Sequence, residues 1–66
     1  MPRWRHKKRG STYDEVGTAR LQVADPGALR DMEEMVVYRG DDGQLWVRPA
    51  REFHDGRFEL LSINAQ

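Results

Sequence analysis

Alternation of apolar and polar residues is clearest on either side of a short turn in the middle of the chain. The segment EMVVYRGDDGQLWVRP places two runs rich in β-branched and aromatic residues around GDDG. This pattern predicts an antiparallel hairpin with a type I turn over Asp41 and Asp42, followed by a left-handed bulge residue at Gly43. Counting outward from the turn gives four pairs: Arg39 with Leu45, Tyr38 with Trp46, Val37 with Val47, and Val36 with Arg48.

The pairing divides the hairpin side chains between two faces, because directly opposed residues point to the same side of a sheet. One face is aliphatic and is predicted to be the core; it holds Met35, Val37, Leu45 and Val47. The other face is apolar with a cation at its edge; it holds Val36, Tyr38, Trp46 and Arg48. We expect this second face to need either a cover or a binding partner.

Upstream of the hairpin, the pattern predicts two further strands and a loop. TARLQV alternates as a half-buried strand, and STYDEV before it reads as a weaker strand. Gly17 marks a bend or bulge between the two. Residues 24–33 read as a loop, with at most one helical turn starting near Asp25 and Pro26.

Downstream of the hairpin, Pro49 has no amide hydrogen and ends strand pairing. PAREF is long enough for one helical turn, and RFELL predicts a last strand with Phe58 and Leu60 on one face. Residues 62–66 are expected to fray. We therefore predict a single all-β domain over residues 1–66, either a small five-stranded SH3-like barrel or a strongly bent antiparallel sheet, with one short helical turn.

Composition narrows the classes of function. A chain of 66 residues has one small core and little room for a buried active site. It has no cysteine, so disulfides and thiolate metal sites are excluded, and His6 and His54 lack zinc-ligand spacing. No apolar run reaches the roughly 18 residues of a membrane span, and no signal peptide is visible. We expect a cytoplasmic, non-enzymatic protein without a cofactor or a membrane contact.

A net charge of zero hides an uneven distribution of charge. Of the 11 cations, five lie in residues 1–9 without any acid, which leaves six cations against 11 acids in the rest of the chain. Residues 1–9 are therefore either a basic N-terminal arm or a first strand. An arm would offer phosphate contacts, whereas a strand would place Trp4 over the face that carries Tyr38 and Trp46.

Four segments resemble a family of small bacterial and phage proteins of unknown function: WRHKKRG, YDEVGTA, VVYRG and GQLWVRPAREF. The family pattern is YRHxKG, YEVxGxA, VVYR and GxLWVRP followed by a phenylalanine, and the match covers about residues 4–58. Trp4 replaces the usual tyrosine, the loop at 24–33 is longer, and the C-terminal tail is shorter. The resemblance implies a phage or prophage origin and supplies no known activity.

Two surfaces are candidates for binding. The first combines cations and aromatic rings and is expected to contact protein or nucleic acid; it comprises Trp4, Arg5, Lys7, Lys8, Arg9, Tyr38, Trp46 and Arg48. The second is an acidic face; it comprises Glu33, Glu34, Asp41, Asp42, Glu52 and Asp55. The simpler interpretations are a covered second core for the rings and ordinary surface polarity for the charges.

These surfaces lead to two hypotheses about function. The first is a binding module that acts on a host protein or nucleoprotein complex, such as an inhibitor of a host defence system. The alternative is a small nucleic-acid-binding barrel that uses the basic segment and the aromatic platform. The sequence leaves the oligomeric state open.

Overall fold

The computed structural model describes residues 1–25 and 27–63, which form one five-stranded antiparallel sheet and a short helix. The elements are β1 (Arg3–His6), β2 (Thr12–Arg20), β3 (Glu34–Gly40), β4 (Leu45–Pro49), α1 (Ala50–Phe53) and β5 (Phe58–Ser62). The strand order across the sheet is β4-β3-β2-β1-β5. The predicted all-β class is therefore confirmed.

The sheet is bent and open, so the barrel alternative is wrong. Within the described residues, β4 pairs only with β3 and β5 pairs only with β1, which leaves both as edge strands. The helix α1 follows β4 directly and inserts Phe53, which is 0% exposed. The helix α1 therefore covers the core at the place where, in a closed barrel, β4 and β5 would be hydrogen-bonded to each other.

The central hairpin forms in the predicted register. The Gly43 N–H donates to the Gly40 carbonyl at 2.9 Å, and the Gly40 N–H donates to the Gln44 carbonyl at 2.9 Å. Gly43 has φ 86°, a left-handed conformation that favours glycine. The four predicted pairs are all present: Arg39 with Leu45, Tyr38 with Trp46, Val37 with Val47, and Val36 with Arg48.

The predicted orientation of this hairpin is wrong. Val36 and Tyr38 are 1% and 5% exposed, whereas Leu45 and Val47 are 50% and 59% exposed. On the predicted core side, Met35 alone is buried, at 9% exposure. The reason is that the other aromatic rings of the chain gather on the Tyr38 side, and rings bury more area than valine or leucine.

One cluster of rings forms the core, on the face that we call concave. Its buried members are Val36, Tyr38, Phe53 and Phe58, and the half-buried residues Trp4, Tyr13 and Ala50 pack against them. The Phe53 and Phe58 rings are stacked, with centroids 4.3 Å apart and an interplanar angle of 14°. Tyr38 meets Phe53 at 5.2 Å and Phe58 at 5.7 Å.

The basic N-terminal segment is a strand and not an arm. β1 pairs with β2 on one side and with β5 on the other, so it lies inside the sheet. The predicted strands STYDEV and TARLQV are one strand, β2, with a bulge between Glu15 and Gly17. The predicted number of strands is correct, but β1 replaces one of the strands that were predicted upstream of the hairpin.

The remaining segments agree in part with the sequence. α1 and β5 form where they were predicted. Apart from Pro26, which lies outside the described residues, the segment 24–33 contains no helix. Ser62 ends β5, so it does not belong to a frayed tail, and residues 64–66 lie outside the described part of the chain. No helix among the described residues has the length and hydropathy to cross a membrane.

The orientation of the hairpin is tested by one substitution on each face. Val36→Ala removes two buried methyl groups and should lower the free energy of unfolding by about 2–3 kcal/mol. Val47→Ala removes the same atoms from a side chain that is 59% exposed and should cost less than about 1 kcal/mol. Urea unfolding measures both, and equal losses would contradict the assignment of the core.

Candidate functional site

The turn between β1 and β2 presents three cations side by side. The Gly10 N–H donates to the His6 carbonyl at 2.7 Å, and Gly10 adopts φ 77°. The Lys7 N–H donates to the Arg57 carbonyl at 3.0 Å, which ties the turn to the segment before β5. Lys7, Lys8 and Arg9 are therefore held on an anchored turn, with their side chains exposed.

These side chains form one wall of a cleft of about 680 Å³. The residues that line this cationic cleft are His6, Lys7, Lys8, Arg9, Arg48 and Arg57. Arg57 pairs with Asp55, at 3.0 Å between Nε and Oδ2. Within the described residues, the other four cations of the cleft have no carboxylate within ion-pair distance. The cleft therefore concentrates positive charge that the protein itself leaves uncompensated.

Arg48 lies between the cationic cleft and the aromatic core. Its guanidinium carbon is 5.5 Å from the centroid of the Phe58 ring, a cation–π arrangement. Its Nη1 atom is buried and has no hydrogen-bond partner in the described structure. A buried donor without a partner is costly. Arg48 also lines the cationic cleft, where a guanidinium is a strong donor to an anion.

His6 contributes a neutral donor to the same cleft. Its Nδ1 accepts a hydrogen bond from the Arg9 backbone N–H at 3.2 Å, which assigns the ring proton to Nε2. The imidazole packs edge-on against Phe58, with ring centroids 5.0 Å apart. Burial lowers the pKa of His6 below its usual value, and the nearby charges of Arg9, Arg48, Arg57 and Lys8 lower it further.

An aromatic cavity adjoins the cationic cleft and shares His6, Arg9 and Arg48 with it. This cavity measures about 150 Å³, and its other lining residues are Tyr13, Tyr38, Trp46 and Phe58. Trp46 is 48% exposed, so part of its indole faces solvent.

Six of the predicted site residues line these two cavities: Lys7, Lys8, Arg9, Tyr38, Trp46 and Arg48. Tyr38 lines the aromatic cavity as a core residue that is 5% exposed. Trp4 packs on Phe53 at 5.2 Å and donates its indole N–H to Glu15 at 3.0 Å, so it supports the fold. The Arg5 guanidinium pairs with Glu59 at 3.3 Å, and neither residue lines the cleft.

Sequence reasoning missed His6, Arg57 and Phe58 as parts of the site. The pairing of His6 with Phe58 in the β1–β5 ladder brings them together. A signal was present, since alternation puts Trp4 and His6 on one side of β1 and Phe58 and Leu60 on one side of β5. Using that signal requires knowing that the first and last strands pair, which no local pattern reveals.

Most of the predicted acidic face is compensated by arginines. Asp41 binds Arg3 at 2.8 Å, Glu33 binds Arg51 at 2.7 Å, and Asp55 binds Arg57 at 3.0 Å. Glu52 lies 3.3 Å from Arg51, and Asp42 accepts the Gln44 backbone N–H inside the turn. Hydrogen bonds from Thr12 and Arg3 lower the pKa of Asp41. Glu34 is exposed.

Comparisons with protein-family models, curated proteins and solved structures found no match. The resemblance to small bacterial and phage proteins therefore stays a prediction. Among the described residues, no group of three or more histidine, aspartate or glutamate side chains is placed to hold a metal ion. The cationic cleft with its aromatic neighbour is the arrangement that offers binding chemistry.

The environment of His6 predicts a pH dependence of stability. The pKa of His6 is lower in the folded protein than in the unfolded chain. As pH falls below about 6.5, His6 therefore takes up a proton more readily in the unfolded chain, which favours unfolding. Stability should therefore be full above that value and should decline toward pH 5. Urea midpoints across this range should show a smaller decline in His6→Gln than in the control His54→Gln. Equal declines in both variants would contradict the assigned environment of His6.

Proposed function

We propose that this protein is a non-enzymatic module that binds single-stranded nucleic acid on its concave side. The observation that carries the proposal is the combination of four uncompensated cations with a half-exposed indole around two adjoining cavities. Cations attract the phosphates of a strand, and an exposed ring stacks on a base. Neither contact depends on a base edge, so we expect weak sequence preference.

A single strand suits this site better than a duplex. The Trp46 indole borders a concavity, and a base can stack there only if it has left its own stack. A duplex keeps its base faces covered and offers an indole no comparable surface. The strand would pass from the cationic cleft, where its phosphates lie, to the aromatic cavity, where one base lies.

A protein partner is the second candidate, and a different observation supports it. The side of the sheet opposite the core carries Leu45 and Val47, which are 50% and 59% exposed on an edge strand. Exposed aliphatic residues of this kind are typical of protein contacts. A pull-down from nuclease-treated lysate that recovers a protein with the native chain, but not with Val47→Lys, would support this candidate. The phage origin and the inhibition of a host defence system stay predictions.

The cations of the β1–β2 turn should set the salt dependence of binding. Replacing Lys7 and Lys8 by alanine should weaken binding of a labelled oligodeoxythymidylate of about 12 nucleotides. The slope of log K against log salt should fall by about 1.4, since each phosphate contact on a single strand contributes about 0.7. Fluorescence anisotropy over a salt series measures both quantities.

The control removes the same number of charges from the end of β2 and from the loop that follows it. Arg20→Ala together with Arg30→Ala should change the affinity and the slope little, because neither residue lines the cleft. If both double variants lose affinity equally, binding follows total charge and does not depend on the cleft. If the native chain fails to bind the oligonucleotide at low salt, the proposed function is wrong.

The indole of Trp46 should contribute through stacking. Trp46→Ala should weaken binding of the same oligonucleotide by about 1–3 kcal/mol and leave the salt slope unchanged. Leu45→Ala is the matched control, because Leu45 is equally exposed, at 50% against 48%, and its side chain points to the opposite face. A loss in Leu45→Ala that matches the loss in Trp46→Ala would move the binding surface to the other side of the sheet.

A further inference from the structure

The cationic cleft has a shape and a set of hydrogen-bond donors that binding the internal phosphates of a strand would not require. Its five cations surround one concavity of about 680 Å³, and no carboxylate of the described residues lines it. An internal phosphodiester carries one negative charge, whereas a terminal phosphate carries about −1.5 to −2 at neutral pH. A concentrated cluster of cations therefore favours the end of a strand over its middle.

The donors at the base of the cleft suit a small anion with several oxygens. Arg48 offers a planar guanidinium held on the Phe58 ring, and its Nη1 has no hydrogen-bond partner among the described residues. His6 offers its Nε2–H, because Nδ1 is occupied by the Arg9 backbone. A guanidinium that binds two oxygens and an imidazole that binds a third are common ways to hold a phosphate.

The aromatic cavity lies where the first base would follow. It shares His6, Arg9 and Arg48 with the cleft, so its contents would adjoin the bound phosphate. Its volume of about 150 Å³ equals that of a protein cavity known to accept a benzene ring. A nucleotide has this arrangement, with a charged phosphate at one side and a flat ring close by.

We propose that the cationic cleft is a subsite for a terminal phosphate monoester, held by Arg48, His6 and Arg9, with the adjoining base against Trp46. This inference rests on the proposed function and deepens it from strand binding to recognition of a strand end. The chemistry required is that of a phosphate dianion, which a strand end or free inorganic phosphate can supply.

The test compares one oligodeoxythymidylate in three forms, carrying a 5′ phosphate, a 3′ phosphate or no terminal phosphate. One of the phosphorylated forms should bind about 10- to 100-fold more tightly than the unphosphorylated form, the gain expected for charged hydrogen bonds. Arg48→Gln should abolish this preference, and so should Arg9→Ala, which leaves the contact between residue 48 and the core intact. Arg5→Gln removes one cation from β1 outside the cleft and should preserve the preference.

Failure of the subsite can be distinguished from failure of the proposed function. Equal affinity for the three oligonucleotides would overturn the subsite and leave strand binding standing. If no oligonucleotide binds, a titration with inorganic phosphate tests the subsite alone. The His6 ring resonances in NMR spectra report whether phosphate binds. A saturable shift that is lost in Arg48→Gln would support the subsite without strand binding. No shift would overturn both.

Discussion

The stack of Phe53 on Phe58 holds together the two ends of this open sheet. The ring centroids lie 4.3 Å apart; Phe53 comes from α1, which follows the edge strand β4, and Phe58 comes from β5, the other edge strand. An open sheet of this size buries little by itself. Joining its two ends through one ring stack gives it a core without the ladder that a barrel would need.

The same rings that stabilise the fold also position the candidate site. Phe58 supports the Arg48 guanidinium at 5.5 Å and the His6 imidazole at 5.0 Å. A guanidinium that packs on a ring loses less conformational entropy on binding an anion than a guanidinium on a mobile side chain. The site is therefore partly preorganised. Core and site share one face, and a change that disturbs Phe58 should affect both stability and binding.

Local sequence patterns correctly predicted the features that depend on neighbouring residues. They failed for the features that depend on contacts between distant segments of the chain. The turn at Gly43 fixed the hairpin register correctly, because a glycine with positive φ defines that turn. The choice of core face failed, because Val37 and Val47 look like a core until Phe53 and Phe58 are placed on the other side. For the site, the basic turn and Trp46 could be predicted, whereas the part played by His6 depends on its pairing with Phe58 in the β1–β5 ladder.

The central claim is that the concave, aromatic side of the sheet is both the core and the binding side. Backbone and indole ¹H–¹⁵N shifts, recorded while a short single-stranded oligonucleotide is added, test this claim directly. Saturable shifts are expected at Lys7, Lys8 and Arg48 and at the Trp46 indole, with Val47 little changed. Shifts concentrated at Leu45 and Val47, with the cationic cleft unmoved, would contradict it.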